Sequence, residues 1–161
     1  MTPERAKIMS DFFCKNMQNE YTTTRRVLAA LPDHQHGWQS HEKGFTAGAL
    51  AWHIATADCY FLQGILEGEF SKPAKMGRPP TTAGIVEYYE KTMPALLERA
   101  QSLTGEQAAK ELTFVTWTNP AVIFMNFSTQ HTIHHRGQLS AYLRAMGAKV
   151  PSIYGPSGDE K

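Results

Sequence analysis

Apolar side chains recur along this chain at spacings of three and four, the period of one helical face, in four separate stretches. In the first, Met9, Phe13, Met17, Tyr21, Thr24, Leu28 and Leu31 form the stripe, while Asp11, Lys15, Asn19 and Arg26 occupy the other side as a solvated face should. Thr2, Pro3 and Glu4 supply a hydroxyl N-cap, a proline at the first helical position and an acid in the first turn; Pro32 is the stop. The second stretch predicts a helix over 47–68 capped by Thr46, with Leu50, His53, Ile54, Ala57, Phe61 and Ile65 facing inward. A third helix, capped by Thr82, carries Ile85, Tyr89, Met93, Leu96, Leu97, Ala100 and Leu103, and Thr104 with Gly105 ends it. Pro94 inside it removes one backbone hydrogen bond and predicts a kink or break near residues 91–93. The fourth helix is bracketed by Asn119–Pro120 as its start signal and Gly147 as its stop.

Between these stretches the pattern lapses. Residues 33–44 are polar with glycine and hold His34, His36 and His41 at irregular spacings; an ordinary surface loop is expected, with Trp38 able to fold back on the bundle. Residues 68–82 repeat at neither period two nor 3.6, and a connector of that length is expected to border the mouth of a site. Residues 106–118 read as an irregular link with at most a short strand-like piece, because ELTFVTWT is β-branched and aromatic. The tail from Ala148 has two prolines and two glycines and cannot be a regular helix, although Ile153 and Tyr154 can pack onto the body.

Four helices joined by loops argue for an all-α bundle. A length of 161 residues fits one domain spanning 1–161, with a core that needs no disulfide. Cys14 and Cys59 lack a CxxC spacing and read as buried reduced thiols. The formal charge of +1 and the scattered basic residues give no reason to expect nucleic acid or an anionic membrane as a partner. No apolar run approaches the roughly 20 residues that span a bilayer, and the start lacks a secretory signal, so a cytoplasmic location is expected.

The chemistry concentrates in Phe127 to Tyr142, FSTQHTIHHRGQLSAY. His131 and His135 are four apart, one turn along the same face, with roughly 5–6 Å between Cβ atoms. At about 100° per residue, Phe124, His131, His135, Gln138 and Tyr142 share a sector of about 60°, with His134 to the side and Arg136 and Gly137 toward the back. Ile133 and Val122 also lie on the back, which suggests a second buried contact such as a dimer partner. His53 is the other histidine inside an apolar helical run, with Tyr60 near it on the same face. Three neutral imidazoles suit zinc, nickel, copper or iron(II) and leave a coordination position open, as a Lewis-acid catalyst needs. Spacing alone leaves two readings standing: a metal centre, or core histidines each satisfied by one hydrogen bond. Tyr60 and Gln138 are candidate orienting groups, also open to the core reading. Neither Asp58 nor Glu67 aligns with the histidine face, so the catalytic acid and base are unknown.

The run HTIHHRGQLSAYLRAMG, with LAWHIA upstream and VPSIYGPSGD at the end, resembles the DinB family over almost the whole chain. The resemblance implies an antiparallel four-helix bundle with an up-down-down-up path, a homodimer, and one divalent metal ion, nickel or zinc with manganese or iron as alternatives. It implies His53, His131 and His135 as the ligands, and His134 as none. It further implies a small-molecule substrate, with a low-molecular-weight thiol as co-substrate in a transferase, or hydrolase chemistry, in stress response or detoxification. The alternative is a non-catalytic, stress-associated metal-binding bundle protein.

Overall fold

The computed structural model describes residues 1–73 and 76–160, so Ala74 and Lys75 of the long connector lie outside the described residues. Helix α1 spans Pro3–Ala29, α2 Ala47–Glu67, α3 Thr82–Gln101, α4 Gly105–Ala109 and α5 Ala121–Ala145; a hairpin of β1, Glu111–Phe114, and β2, Trp117–Pro120, precedes α5. Thr2 and Thr46 cap α1 and α2 as the sequence predicts, each hydroxyl accepting a backbone N–H three residues on. Helices α2 and α5 stop at glycines in the left-handed region, Gly68 at φ 76° and Gly147 at φ 73°.

The bundle's path follows from which helix ends meet. Thr82, at the start of α3, donates its hydroxyl to the Leu31 carbonyl just beyond α1 at 2.7 Å, and the backbone N–H of Gly48, at the start of α2, donates to the His36 carbonyl at 3.0 Å. Ser40 donates to the Tyr142 hydroxyl near the end of α5 at 3.2 Å. One end of the bundle therefore gathers the end of α1, the starts of α2 and α3, and the end of α5, which is the up-down-down-up arrangement. Around the ring α1 packs on α3 and α5, and α2 packs on α3 and α5. One continuous apolar cluster fills the centre, with Leu28, Ile54, Met93, Phe124 and Leu139 among its buried members. Among the described residues no helix is long and apolar enough to cross a membrane.

Several local expectations are revised. The buried line of α1 runs through Ala6, Ser10, Cys14 and Met17, leaving Met9, Phe13 and Tyr21 at its partly buried edge. Small side chains sit on the seam because they let the helices approach closely. Cys14 and Cys59 are free and buried, as expected. The cap of α3 is Thr81, one residue earlier than predicted, and Thr82 is buried instead. The helix passes Pro94 without a break: that residue is exposed, while Met93, Leu96 and Leu97 hold the other side in the core. Thr104 starts α4 through a capping box with Gln107 rather than ending α3. ELTFVTWT is no irregular link but an antiparallel hairpin pairing Phe114 with Trp117 and Thr113 with Thr118, whose hydroxyls lie 2.8 Å apart. Asn119 belongs to that hairpin, so Pro120 stands at the cap position of α5.

His36 is the largest departure among the polar residues. It is only 8% exposed, and its ring bridges two elements. Arg78 donates to Nδ1 at 2.8 Å, and Nε2 donates to the Thr82 hydroxyl at 2.8 Å, while Asp33 accepts the Thr82 backbone N–H at 2.7 Å. Burial and the Arg78 charge hold its pKa below the ordinary value. A Cβ on Gly48 would stand 2.5 Å from Arg78 and 2.9 Å from the imidazole, so this knot requires glycine there. His34 and His41 are exposed, and Trp38 packs edge-on against Tyr142 at 4.9 Å.

The hairpin turn stores strain. Val115 sits at φ 59° with 81% of its surface exposed, a left-handed conformation that a β-branched side chain rarely adopts. Val115→Asn, which tolerates that conformation, is expected to raise the free energy of unfolding by about 1 kcal/mol in urea denaturation. An unchanged or lower midpoint would show that contacts of the valine outweigh its backbone cost.

Candidate metal centre

The site lies where α2 and α5 pack together. On α2, Leu50 and Ile54 are fully buried, and His53 stands at the solvent-side edge of that line, half-buried. On α5, Phe124, Ser128, Thr132 and Leu139 face the interior, leaving His131, His135 and Gln138 along the matching edge. The three histidines thus meet at the margin of the seam rather than on the central stripe. Ligand nitrogens of all three lie within 4.8 Å of one another. Ring centroids are 5.0 Å apart for His53 and His131, 4.7 Å for His53 and His135, and 4.5 Å for His131 and His135, with planes crossing at 67°, 89° and 68°.

The rotation of α5 that puts them there is fixed by two buried polar ties. Asp58 of α2 accepts hydrogen bonds from the Tyr89 hydroxyl of α3 at 2.5 Å and from Ser128 of α5 at 3.1 Å. Burial raises its carboxyl pKa. Arg136, expected on the back of α5, is only 1% exposed: it pairs with Glu20 of α1 at 2.5 Å and donates to Thr24 at 3.1 Å and to the Tyr154 hydroxyl of the tail at 2.6 Å. Val122 is likewise fully buried within this chain, so its position does not call for a dimer partner.

The electrostatics keep His53 and His131 neutral. Burial, then the proximity of His135, His53 and His134, lowers the His131 pKa to about 4; burial and His135 lower that of His53. A neutral imidazole has a lone pair to give a cation. Nε2 of His53 and Nε2 of His131 are 3.2 Å apart, close to the edge of about 3.3 Å between two ligands of a tetrahedral ion bound at roughly 2.0–2.1 Å. His131 Nδ1 is buried with no hydrogen-bond partner. Convergent neutral nitrogens at this separation fit a divalent transition-metal ion.

His135 is oriented through a chain of side chains. Its Nδ1–H faces the Gln138 amide oxygen at 3.1 Å, which leaves Nε2 as the free lone pair. Gln138 in turn donates to the Tyr142 hydroxyl at 3.2 Å, the same hydroxyl that Ser40 approaches. Phe45, unremarked in the sequence pattern, stacks on His53 at 5.3 Å and 17° and stands edge-on to His135 at 6.4 Å, covering that side. Only its place directly before the α2 cap hinted at such a role.

On the other side the site opens. A cleft of about 1100 Å³ is lined by His53 and His131 at one end and includes Ser71, Lys72 and Met76 of the long connector, so its described part does border the mouth. Tyr60 lines this cleft, but its hydroxyl donates to the Ser71 carbonyl at 3.0 Å. Glu67 is at the cleft's outer part, and His134 is exposed beside the triad.

Comparison with known proteins places these features in context. Residues 9–161 match the sequence model of the DinB family. The uncharacterised protein YrdA of Bacillus subtilis strain 168 is 28% identical over 152 residues, covering 93% of this chain and 90% of its own. The crystal structure of a DinB-like protein from Bacillus cereus ATCC 10987 superposes with a TM-score of 0.76 at 28% identity, covering 88% of this chain and 95% of its own. A variant of the mycothiol-dependent maleylpyruvate isomerase shares the fold at a TM-score of 0.55 and 14% identity, covering 95% of this chain and 66% of its own.

Depressed histidine values make stability depend on pH with a definite sign. The folded chain holds His36, His53 and His131 below the ordinary 6.5, so between those values the unfolded chain binds more protons. Stability is fully present above pH 6.5 and is lost as pH falls toward the folded value, about 4 for His131. The urea midpoint of metal-free protein should fall across this window, and His131→Asn should flatten the fall. A midpoint independent of pH, or one that rises on acidification, would contradict the neutral cluster.

Proposed function

This chain belongs to the DinB family, and we propose that it is a metal-dependent enzyme in which His53, His131 and His135 hold one divalent ion, nickel or zinc, for transferase or hydrolase chemistry on a small molecule. The observation that carries this reading is the convergence of three imidazoles within 4.8 Å of one another beside an open cleft that His53 and His131 line. Bound there, the ion would supply Lewis acidity, lowering the pKa of a thiol or water so that it becomes a nucleophile near neutral pH.

The chain's own residues do the rest. The imidazoles supply the donor nitrogens; Gln138 fixes the His135 tautomer; Phe45 stacks on the His53 ring. Among the described residues the ligating group contains these three side chains and no fourth from histidine, cysteine, aspartate or glutamate, which favours an open catalytic position over a closed structural one. The bundle is also the architecture of an isomerase that depends on the thiol mycothiol. A low-molecular-weight thiol as co-substrate, a homodimer, a cytoplasmic location and a role in stress response or detoxification belong to the same proposal. The second reading, a non-catalytic metal-binding protein, would be favoured by a fourth protein ligand that closes the position.

Elemental analysis of protein purified without a histidine tag should find about one divalent ion per chain, and His135→Ala should lose it. Gln138→Leu should retain the ligands yet weaken metal affinity roughly 10- to 100-fold in competition with a chelator. No metal in wild-type protein, even after reconstitution, would sink the catalytic reading.

A further inference from the structure

The walls of the cleft beside His53 and His131 are aromatic. Trp52, Tyr60, Tyr88, Phe114 and Phe127 all line it and are all only half-buried, so each keeps an edge or face toward the cavity. These rings brace one another. Phe61 stands edge-on to Phe114 at 5.0 Å and to Phe127 at 5.2 Å, and Trp52 stands edge-on to Tyr88 at 4.8 Å. A lattice of crossed rings leaves slots bounded by flat faces, which a planar π-system fills better than a puckered aliphatic one.

Polar groups on the same walls are already engaged. The Thr56 hydroxyl donates to the Trp52 carbonyl at 2.8 Å, Tyr60 to the Ser71 carbonyl at 3.0 Å, and the Gln63 amide to Glu67 at 2.7 Å. A sugar or other polyhydroxylated ligand would find few free donors on these aromatic walls to replace its hydration. Glu67 and Glu69 face the cleft with Lys72, a balance that opposes an anionic ligand. At the rim stands Val115, exposed and held in a strained conformation, its apolar surface in water unless a ligand covers it.

We propose that this cleft is the binding site of an uncharged planar aromatic compound, seated between the Trp52/Tyr88 and Phe114/Phe127 walls, with its polar substituent directed toward His53 and His131. The role of that inner end rests on the metal-centre reading; recognition of the ring does not.

The test is calorimetric titration of the full chain, metal-free and zinc-loaded, with 2-naphthol, its saturated counterpart decahydro-2-naphthol, and the anion 2-naphthoate. 2-Naphthol should bind both forms, at least about tenfold tighter than either comparison compound. Phe127→Ala should weaken it about three- to tenfold. Val115→Asn should also weaken it while leaving or raising thermal stability, which separates lost contact from lost folding. Phe12→Ala, on an exposed surface of α1 outside the cleft, should change nothing. Equal affinity for the saturated compound, insensitivity to both cleft variants, or equal sensitivity to Phe12→Ala would overturn the proposal. Failure of metal loading with 2-naphthol binding intact would overturn the metal centre alone; metal loading without 2-naphthol binding would overturn the aromatic site alone.

Discussion

Adjacency of α2 and α5 is the constraint on which the site depends, since neither helix alone carries three imidazoles that can meet. In a bundle whose helices follow one another around the ring, the second and the last would be diagonal. Here the chain crosses the bundle end, and the crossing is held by a directed series of hydrogen bonds, Arg78 to His36, His36 to Thr82, and Thr82 to the Leu31 carbonyl. That series joins the residue just beyond α1, the start of α3 and the long connector. It stands beside Gly48 in the first turn of α2, the helix that carries His53.

Adjacency alone would not set the histidines correctly, because a helix can rotate about its axis. Two buried polar ties fix α5 in rotation: Ser128 on Asp58, and Arg136 on Glu20 and Thr24. Buried polar groups are costly when unpaired, so each tie strongly prefers one arrangement. The consequence is that His131 and His135 sit a short rotation away from the core centre. His131 is dry enough to stay neutral, and it lines the cleft from which it can be reached. Arginine in HRGQ thus serves the architecture, and glutamine orients the neighbouring His135.

The aromatic cleft is also a product of assembly. Trp52, Tyr60 and Phe61 come from α2, Tyr88 from α3, Phe114 from the hairpin and Phe127 from α5, with contributions from the described part of the connector. The hairpin brings Phe114 against Phe61 and places Val115 at the rim. A segment that reads as irregular in sequence therefore shapes the access to the site.

The sequence by itself determined the four long helices, their caps at Thr2 and Thr46, the stop at Gly147, the two buried thiols and the one face shared by His131 and His135. These are local quantities: period, cap chemistry and φ preference act within a few residues. It did not determine the burial of His36, the roles of Arg136 and Phe45, the unbroken passage of α3 through Pro94, or the hairpin at 111–120. The burial of His36 and of Arg136 depends on partners distant in the chain, Thr82 and Thr24, and contacts of that kind leave no period to read. The meeting of His53 with His131 and His135 was implied by family resemblance, not by spacing. Only the tertiary structure brought it about, because a 3.2 Å approach between residues 78 positions apart is decided by which helices are neighbours and how each is rotated.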